Sequence, residues 1–150
     1  MRKPAAVDTR TSRIRVLVVS PQKEDHDALR RMLPPDRWTL FQALSLSSAL
    51  LRLRTNDRIQ LVLCERDLSP GTWKDLFCAL LALQPPPVFI VTSRLADERL
   101  WAEALNVGAY DVLAKPLESS EVNRSLSLAA LHCPGGSDLR KPRAAAARRI

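Results

Sequence analysis

The sequence predicts an α/β fold, a doubly wound parallel sheet of five strands with helices on both faces. Three observations carry this. Five short apolar runs alternate with five segments of helical character along residues 13–133. No two apolar runs are joined by a two-residue hairpin signal; each pair is separated by a helix-length stretch, as parallel strands require. The runs Val16–Val19 and Leu61–Cys64 are continuous, which suits strands covered on both faces, while Trp38–Ala43 alternates in part.

The elements follow in order. Val16–Val19 reads as a first buried strand. A helix is expected from Glu24 to Leu33, stopped by Pro34-Pro35, because proline removes an N–H and clashes with the preceding turn. Trp38–Ala43 is a second strand, and Ser45–Arg54 a helix with Leu46, Ala49, Leu50 and Leu53 on one side. Leu61–Cys64 is the third strand. Thr72 and Asp75 form a capping-box pair opening a helix that runs through Leu83, before Pro85-Pro86-Pro87. Val88–Thr92 is the fourth strand, Asp97–Asn106 a helix closed by Gly108 in a left-handed conformation. Asp111–Ala114 is the fifth strand, and Ser119 or Ser120 caps a last helix ending near His132.

The chain of 150 residues has 46% hydrophobic and 26% charged residues, a globular balance. The net charge of +7 sits at the ends. Residues 1–15 carry five basic residues against Asp8, residues 134–150 five against Asp138, and the stretch between them is close to neutral at −1. Segments 1–12 and 134–150 therefore read as disordered basic tails around a domain at 13–133. Such tails touch phosphate without sequence preference; no specific nucleic acid is expected. The longest apolar run, Leu76–Leu83, has eight residues, far short of the roughly 18 a membrane span needs. The basic N-terminus lacks the apolar core of a secretory signal. Cys64, Cys78 and Cys133 are not spaced for a disulfide framework or a zinc site; Cys64 and Cys78 are expected to be buried thiols of a cytoplasmic protein. The glycines Gly71, Gly108, Gly135 and Gly136 permit neither a dinucleotide fingerprint nor a phosphate loop, and His26 and His132 lack an obvious nucleophile or metal partner. The chain is not expected to be an enzyme.

In a doubly wound sheet, ligands gather at the carboxyl ends of the strands. Those ends carry Ser20-Pro21, Glu65-Arg66-Asp67, Thr92-Ser93 and Lys115-Pro116. A carboxylate, a hydroxyl and an ammonium on three strand ends would meet in one small polar pocket.

From Arg13 to His132 the sequence resembles the receiver domain of two-component response regulators. The pieces are Arg15-Val-Leu-Val-Val19, Leu61-Val-Leu-Cys-Glu65 with Leu68 beyond it, Val91-Thr92-Ser93, and Gly108-Ala-Tyr-Asp-Val-Leu-Ala-Lys115-Pro116, the most diagnostic. The resemblance implies a (βα)₅ flavodoxin-like fold of strand order 2-1-3-4-5 and a role in signal relay. It also locates departures. The family's acidic pair falls on Ser20 and Pro21, and its phosphoacceptor aspartate on Glu65. Thr92 and Lys115 match the switch hydroxyl and lysine, and the aromatic switch falls on Val112, with Tyr110 two residues earlier. Mg²⁺ needs hard oxygen ligands, so its binding is expected to be lost or very weak, with no other cofactor, and Glu65 and Lys115 are expected to pair.

Alternatives stand beside these readings. Glu65 also fits a surface carboxylate; the independent Lys115 match favours the pocket. Asp67, two residues beyond the strand, is a minority phosphoacceptor. Glu24 and Asp25 are conceivable substitutes for the lost acids, but carboxylates also favour a helix start. Trp38 reads as packing and Trp73 as partly exposed. Arg94, Arg99, Trp101 and Tyr110 are candidates for a partner interface, with a core position favoured for Trp101. The function so read is a stand-alone, phosphorylation-independent pseudo-receiver that binds a protein partner, such as a histidine kinase or an output protein. Its rivals are a conventional phosphoacceptor using Asp67 or Glu65, and a nucleic-acid-associated protein acting through its tails.

Overall fold

The computed structural model describes residues 13–55 and 58–134. The elements are β1 (Ile14–Val19), α1 (Lys23–Met32), β2 (Trp38–Ala43), α2 (Leu46–Leu53), β3 (Leu61–Glu65), α3 (Trp73–Leu80), β4 (Val88–Ser93), α4 (Glu98–Val107), β5 (Asp111–Ala114) and α5 (Ser119–Ala130). The five strands form one parallel sheet in the order β2-β1-β3-β4-β5, as the resemblance implies. The expected tails lie outside the described residues, apart from Pro134, whose carbonyl accepts a hydrogen bond from Gln60 Nε2 at 3.1 Å.

Alternate strand residues feed two cores. Leu17, Val19, Val62, Cys64, Phe89, Val91 and Val112 pack on one face beneath α2, α3 and α4. Val16, Val18, Leu61, Leu63, Ile90 and Leu113 pack on the other beneath α1 and α5. Double coverage is why β1, β3 and β4 read as unbroken apolar runs. Each such Leu or Val stabilises the fold by about 1.5–3 kcal/mol when fully buried. Every residue of β3 is buried, including Glu65 at its end.

Capping chemistry sets the helix ends. Thr72 and Asp75 make the expected capping box, Ser45 and Ser48 make another, and Asp97 Oδ1 accepts from the Leu100 N–H. Gly108 closes α4 at φ +122°, where an added Cβ would lie 3.2 Å from Phe77. Four expectations need correction. Neither Ser119 nor Ser120 caps α5; Glu118 holds the cap position without a side-chain bond. Helix α3 ends at Leu80, because the chain beyond tightens into three-residue turns, with the Ala82 and Leu83 N–H groups donating to Ala79 and Leu80. Trp73 is 1% exposed, since it shares the inward stripe with Leu76 and Leu80 and packs on Phe77 and Phe89. Cys78 is exposed: the apolar run Leu76–Leu83 circles its helix, so part of it faces water. Among the described residues no helix is long and apolar enough to cross a membrane.

Candidate functional site

The sheet order makes the site. The chain leaves β1 toward β2 on one side, and β3 lies on the other, so the loops after β1 and β3 diverge and open a crevice at their carboxyl ends. Ser20 follows β1, Glu65 ends β3 and Lys115 follows β5.

These three meet, and a fourth residue joins them. The Lys115 ammonium lies between two carboxylates, donating to Glu65 Oε1 and to Asp25 Oδ2 at 2.5 Å. The Lys115 side chain is 7% exposed, so the predicted Glu65–Lys115 pair is an enclosed one. Asp25 Oδ2 also accepts from the Ser20 hydroxyl at 2.6 Å, and Ser20 Oγ accepts from the Gln22 N–H at 3.1 Å. The second oxygen of Glu65, Oε2, accepts from the Asp67 N–H at 3.1 Å. Below the network, His26 Nε2 donates to the Ser20 carbonyl at 2.9 Å. One ammonium facing two carboxylates leaves the cluster with an excess of negative charge, inside a wall of apolar strands.

Asp25 is the residue whose role sequence reasoning ranked too low. It does begin α1, where the positive end of the helix dipole favours it, and it also turns back into the crevice. Charge counting offers the signal: a lysine enclosed beside vacated acidic positions calls for a second carboxylate, and the first turn of α1 is the nearest source.

The remaining candidates fall into place around this centre. Pro21 is exposed. Thr92 is buried and is the register partner of Glu65 across β3 and β4; its carbonyl accepts from the Arg66 N–H at 2.8 Å. The adjacent Ser93 caps the following turn, its hydroxyl accepting from the Leu95 N–H. Asp67 lines the same cleft as Lys115, and its two carboxylate oxygens accept from Arg66 at 3.3 and 3.2 Å. Val112 is part of the apolar core. Tyr110 lies on the other face of the sheet against His132, ring centres 5.5 Å apart. Its partial burial and the nearby Asp111 raise its hydroxyl pKa. Arg94 and Arg99 are exposed. Trp101 is 40% exposed, with Leu105 exposed one turn on, so the core position favoured for Trp101 is not the one found. The inward residues of α4 are Leu100 and Ala104. Beside the cluster, burial and then the charge of Glu65 raise the pKa of the Cys64 thiol.

No family model matches the sequence, and no curated protein does. Solved structures do match. The signal receiver domain of an HD domain-containing protein from Pseudomonas fluorescens Pf-5 is 27% identical, with a TM-score of 0.71 over 80% of this chain and 96% of that one. The signal receiver domain of a putative Luxo repressor protein from Vibrio parahaemolyticus is 19% identical, with a TM-score of 0.72 over 78% and 89%. A chemotaxis response regulator of Vibrio cholerae is 15% identical, with a TM-score of 0.70 over 78% and 98%. In strand order and extent the chain has the receiver-domain fold of the CheY-like response regulators.

Proposed function

We propose that the chain is a phosphorylation-independent receiver domain of a cytoplasmic two-component pathway, acting by binding a protein partner rather than by catalysis. The observation that carries this reading is the closed network Ser20–Asp25–Lys115–Glu65. The donor set does not suit Mg²⁺, which requires several free hard oxygens in near-octahedral array. Glu65 Oε1 and Asp25 Oδ2 both face an ammonium, Ser20 is committed to Asp25, and Pro21 has no side-chain oxygen. Without a divalent ion, charge on an incoming phosphoryl group is not neutralised. Glu65 is also a poor nucleophile here, with one oxygen on Lys115 and the other on the Asp67 N–H.

Conventional phosphorylation at Asp67 has less support, because that carboxylate is paired with Arg66 and lies two residues beyond the end of β3. For the partner surface, the exposed pair Trp101 and Leu105 on α4, with Arg94 and Arg99 nearby, fits a protein offering an apolar patch with an acidic rim.

The test is incubation with acetyl phosphate and Mg²⁺ followed by intact-mass and peptide analysis. The expected result is no added phosphoryl group at any ratio. A Mg²⁺-dependent adduct on Asp67 or Glu65 would overturn the proposal in favour of a conventional receiver.

A further inference from the structure

The sheet divides the helices into two groups, and α4 lies on the far side of it from α1. Leu100, Ala104 and Ala109 share one core with Trp73, Leu76 and Leu80 of α3. Leu29 of α1 shares the other with Val122, Leu126 and Ala129 of α5. Asp25, whose carboxylate completes the Lys115 network, stands on α1.

Within its own layer α4 is fastened to α3 at two places. Lys74 Nζ pairs with Glu103 Oε2 midway along α4. At the helix end Gly108 abuts Phe77, where an added Cβ would lie 3.2 Å from the ring. Phe77 in turn packs edge-on against Phe89 and Trp73, ring centres 5.2 and 6.4 Å away. The ion pair is exposed, so packing at Phe77 supplies most of the hold. Trp101 and Leu105 stand two residues either side of Glu103, about 200° around the helix. The fastenings therefore leave open the flank that carries them.

The links from the Lys115 network to α4 are of another kind. Its side-chain bonds run among Ser20, Asp25, Glu65 and Lys115 and to the main chain of Gln22 and Asp67; the Thr92 hydroxyl is not among their partners. Val112, at the other expected switch position, is an aliphatic core residue. What crosses to β4 is backbone: the Lys115 N–H donates to the Ser93 carbonyl at 3.0 Å, and the Arg66 N–H to the Thr92 carbonyl at 2.8 Å. Neither bond depends on the charges of the network.

We propose that α3 and α4 form one fixed unit, which presents Trp101 and Leu105 permanently and independently of the Lys115 network. The inference rests on the reading that this flank of α4 carries the partner surface, and it states how that surface is regulated. Its shape is set by packing on α3 and does not follow the charge state of the carboxyl edge.

The experiment is amide and indole NMR, with hydrogen exchange, on the intact chain. One variant removes all three charges of the network, Asp25→Asn, Glu65→Gln and Lys115→Met together. Shifts are expected at Ser20, His26 and Leu117, with the Trp101 indole and the amides of residues 99–105 unmoved. In a second variant, Phe77→Leu, exchange of the α3 and α4 amides is expected to rise together, by about tenfold, with α1 unchanged. Should either variant lose its fold, Glu65→Gln alone and Lys74→Gln with Glu103→Gln supply the same comparison in milder form. A Trp101 shift as large as that of Ser20 in the network variant overturns the inference, as does an α4 that exchanges with α1 rather than with α3. Acetyl phosphate with Mg²⁺ separates this inference from the reading beneath it. A phosphoryl adduct would end the phosphorylation-independent reading; α4 signals unmoved in the adduct would still support the fixed unit, and moved ones would overturn it.

Discussion

The two edges of the sheet are built from the same strands and have opposite electrostatic designs. At the carboxyl edge, Lys115 is enclosed between Asp25 and Glu65, and every hydrogen-bonding atom named there has an internal partner. At the amino edge, three arginines line an open hollow without an acidic residue among the described ones. The helices account for the signs. In a parallel sheet with crossover helices, helix starts lie at the carboxyl edge and helix ends at the amino edge. Glu24, Asp25, Asp75 and Glu98 stand in first turns, and Arg30, Arg31 and Arg52 in last turns, as the helix dipole favours. The dipole does not account for what each edge does with its charge. One edge turns it inward on shape; at the other the arginines lie around an apolar floor.

That contrast can be broken experimentally, and the largest effect is expected at Lys115. Lys115→Met leaves two carboxylates facing each other out of water, and denaturant unfolding should show a loss of about 3–5 kcal/mol. Adding Asp25→Asn and Glu65→Gln to the same chain should recover much of it, because no uncompensated charge remains. If the triple variant is no more stable than the single one, the network is not held by charge. Next in size is Ser20→Ala, which removes a hydrogen bond to a charged acceptor and should cost about 1.5–3 kcal/mol; a change within error would mean that Asp25 does not need the hydroxyl.

Cysteine labelling compares the edges directly. Cys64 lies beside Glu65 at the carboxyl edge, Cys133 lies beside Pro134 at the amino edge, and Cys78 is exposed on α3. Burial raises the Cys64 thiol pKa and pushes that of Cys133 up to about 12, so both are inert until the structure opens. Cys78 should react at once in the native protein. In mild denaturant Cys133 should follow about tenfold faster than Cys64, a difference of about 1.4 kcal/mol in local opening; the reverse order would place the weaker edge at the ion-pair network. The smallest effect is expected from Asp67→Asn. Its Arg66 partner is at the surface, and stability should change by only about 0–1 kcal/mol.

The sequence made the scaffold legible because each level of it agreed. The continuous runs at Val16–Val19 and Leu61–Cys64 fitted strands covered on both faces, and Lys115-Pro116 after Gly108-Ala109 named the family resemblance and with it the strand order. Glu65 with Lys115 was legible for the same reason, since both stand at strand ends that any such sheet brings close. Asp25 was harder. Five residues after Ser20, it satisfies the rule for a helix start, and the local rule concealed the long-range contact with Lys115, 90 residues away. Trp73 and Cys78 were misjudged because the unbroken run Leu76–Leu83 masks the stripe of Trp73, Leu76 and Leu80 that faces in, which shows only when the helix is read at three- and four-residue spacing from its first turn. The arginine cavity was not legible at all: Arg15, Arg52 and Arg58 come from β1, the end of α2 and the approach to β3, and no local pattern links them.

One strand touches both designs. Gln60 stands behind the arginine cavity and Glu65 in the ion-pair network, with β3 running between them through about 17 Å of side chains that are buried without exception. A rod so enclosed has no independent way to flex or to admit solvent. Its amide hydrogens should trade for deuterium only when the whole domain comes apart, making β3 a built-in clock for global unfolding. Anything that tightens either end should slow that clock along its full length.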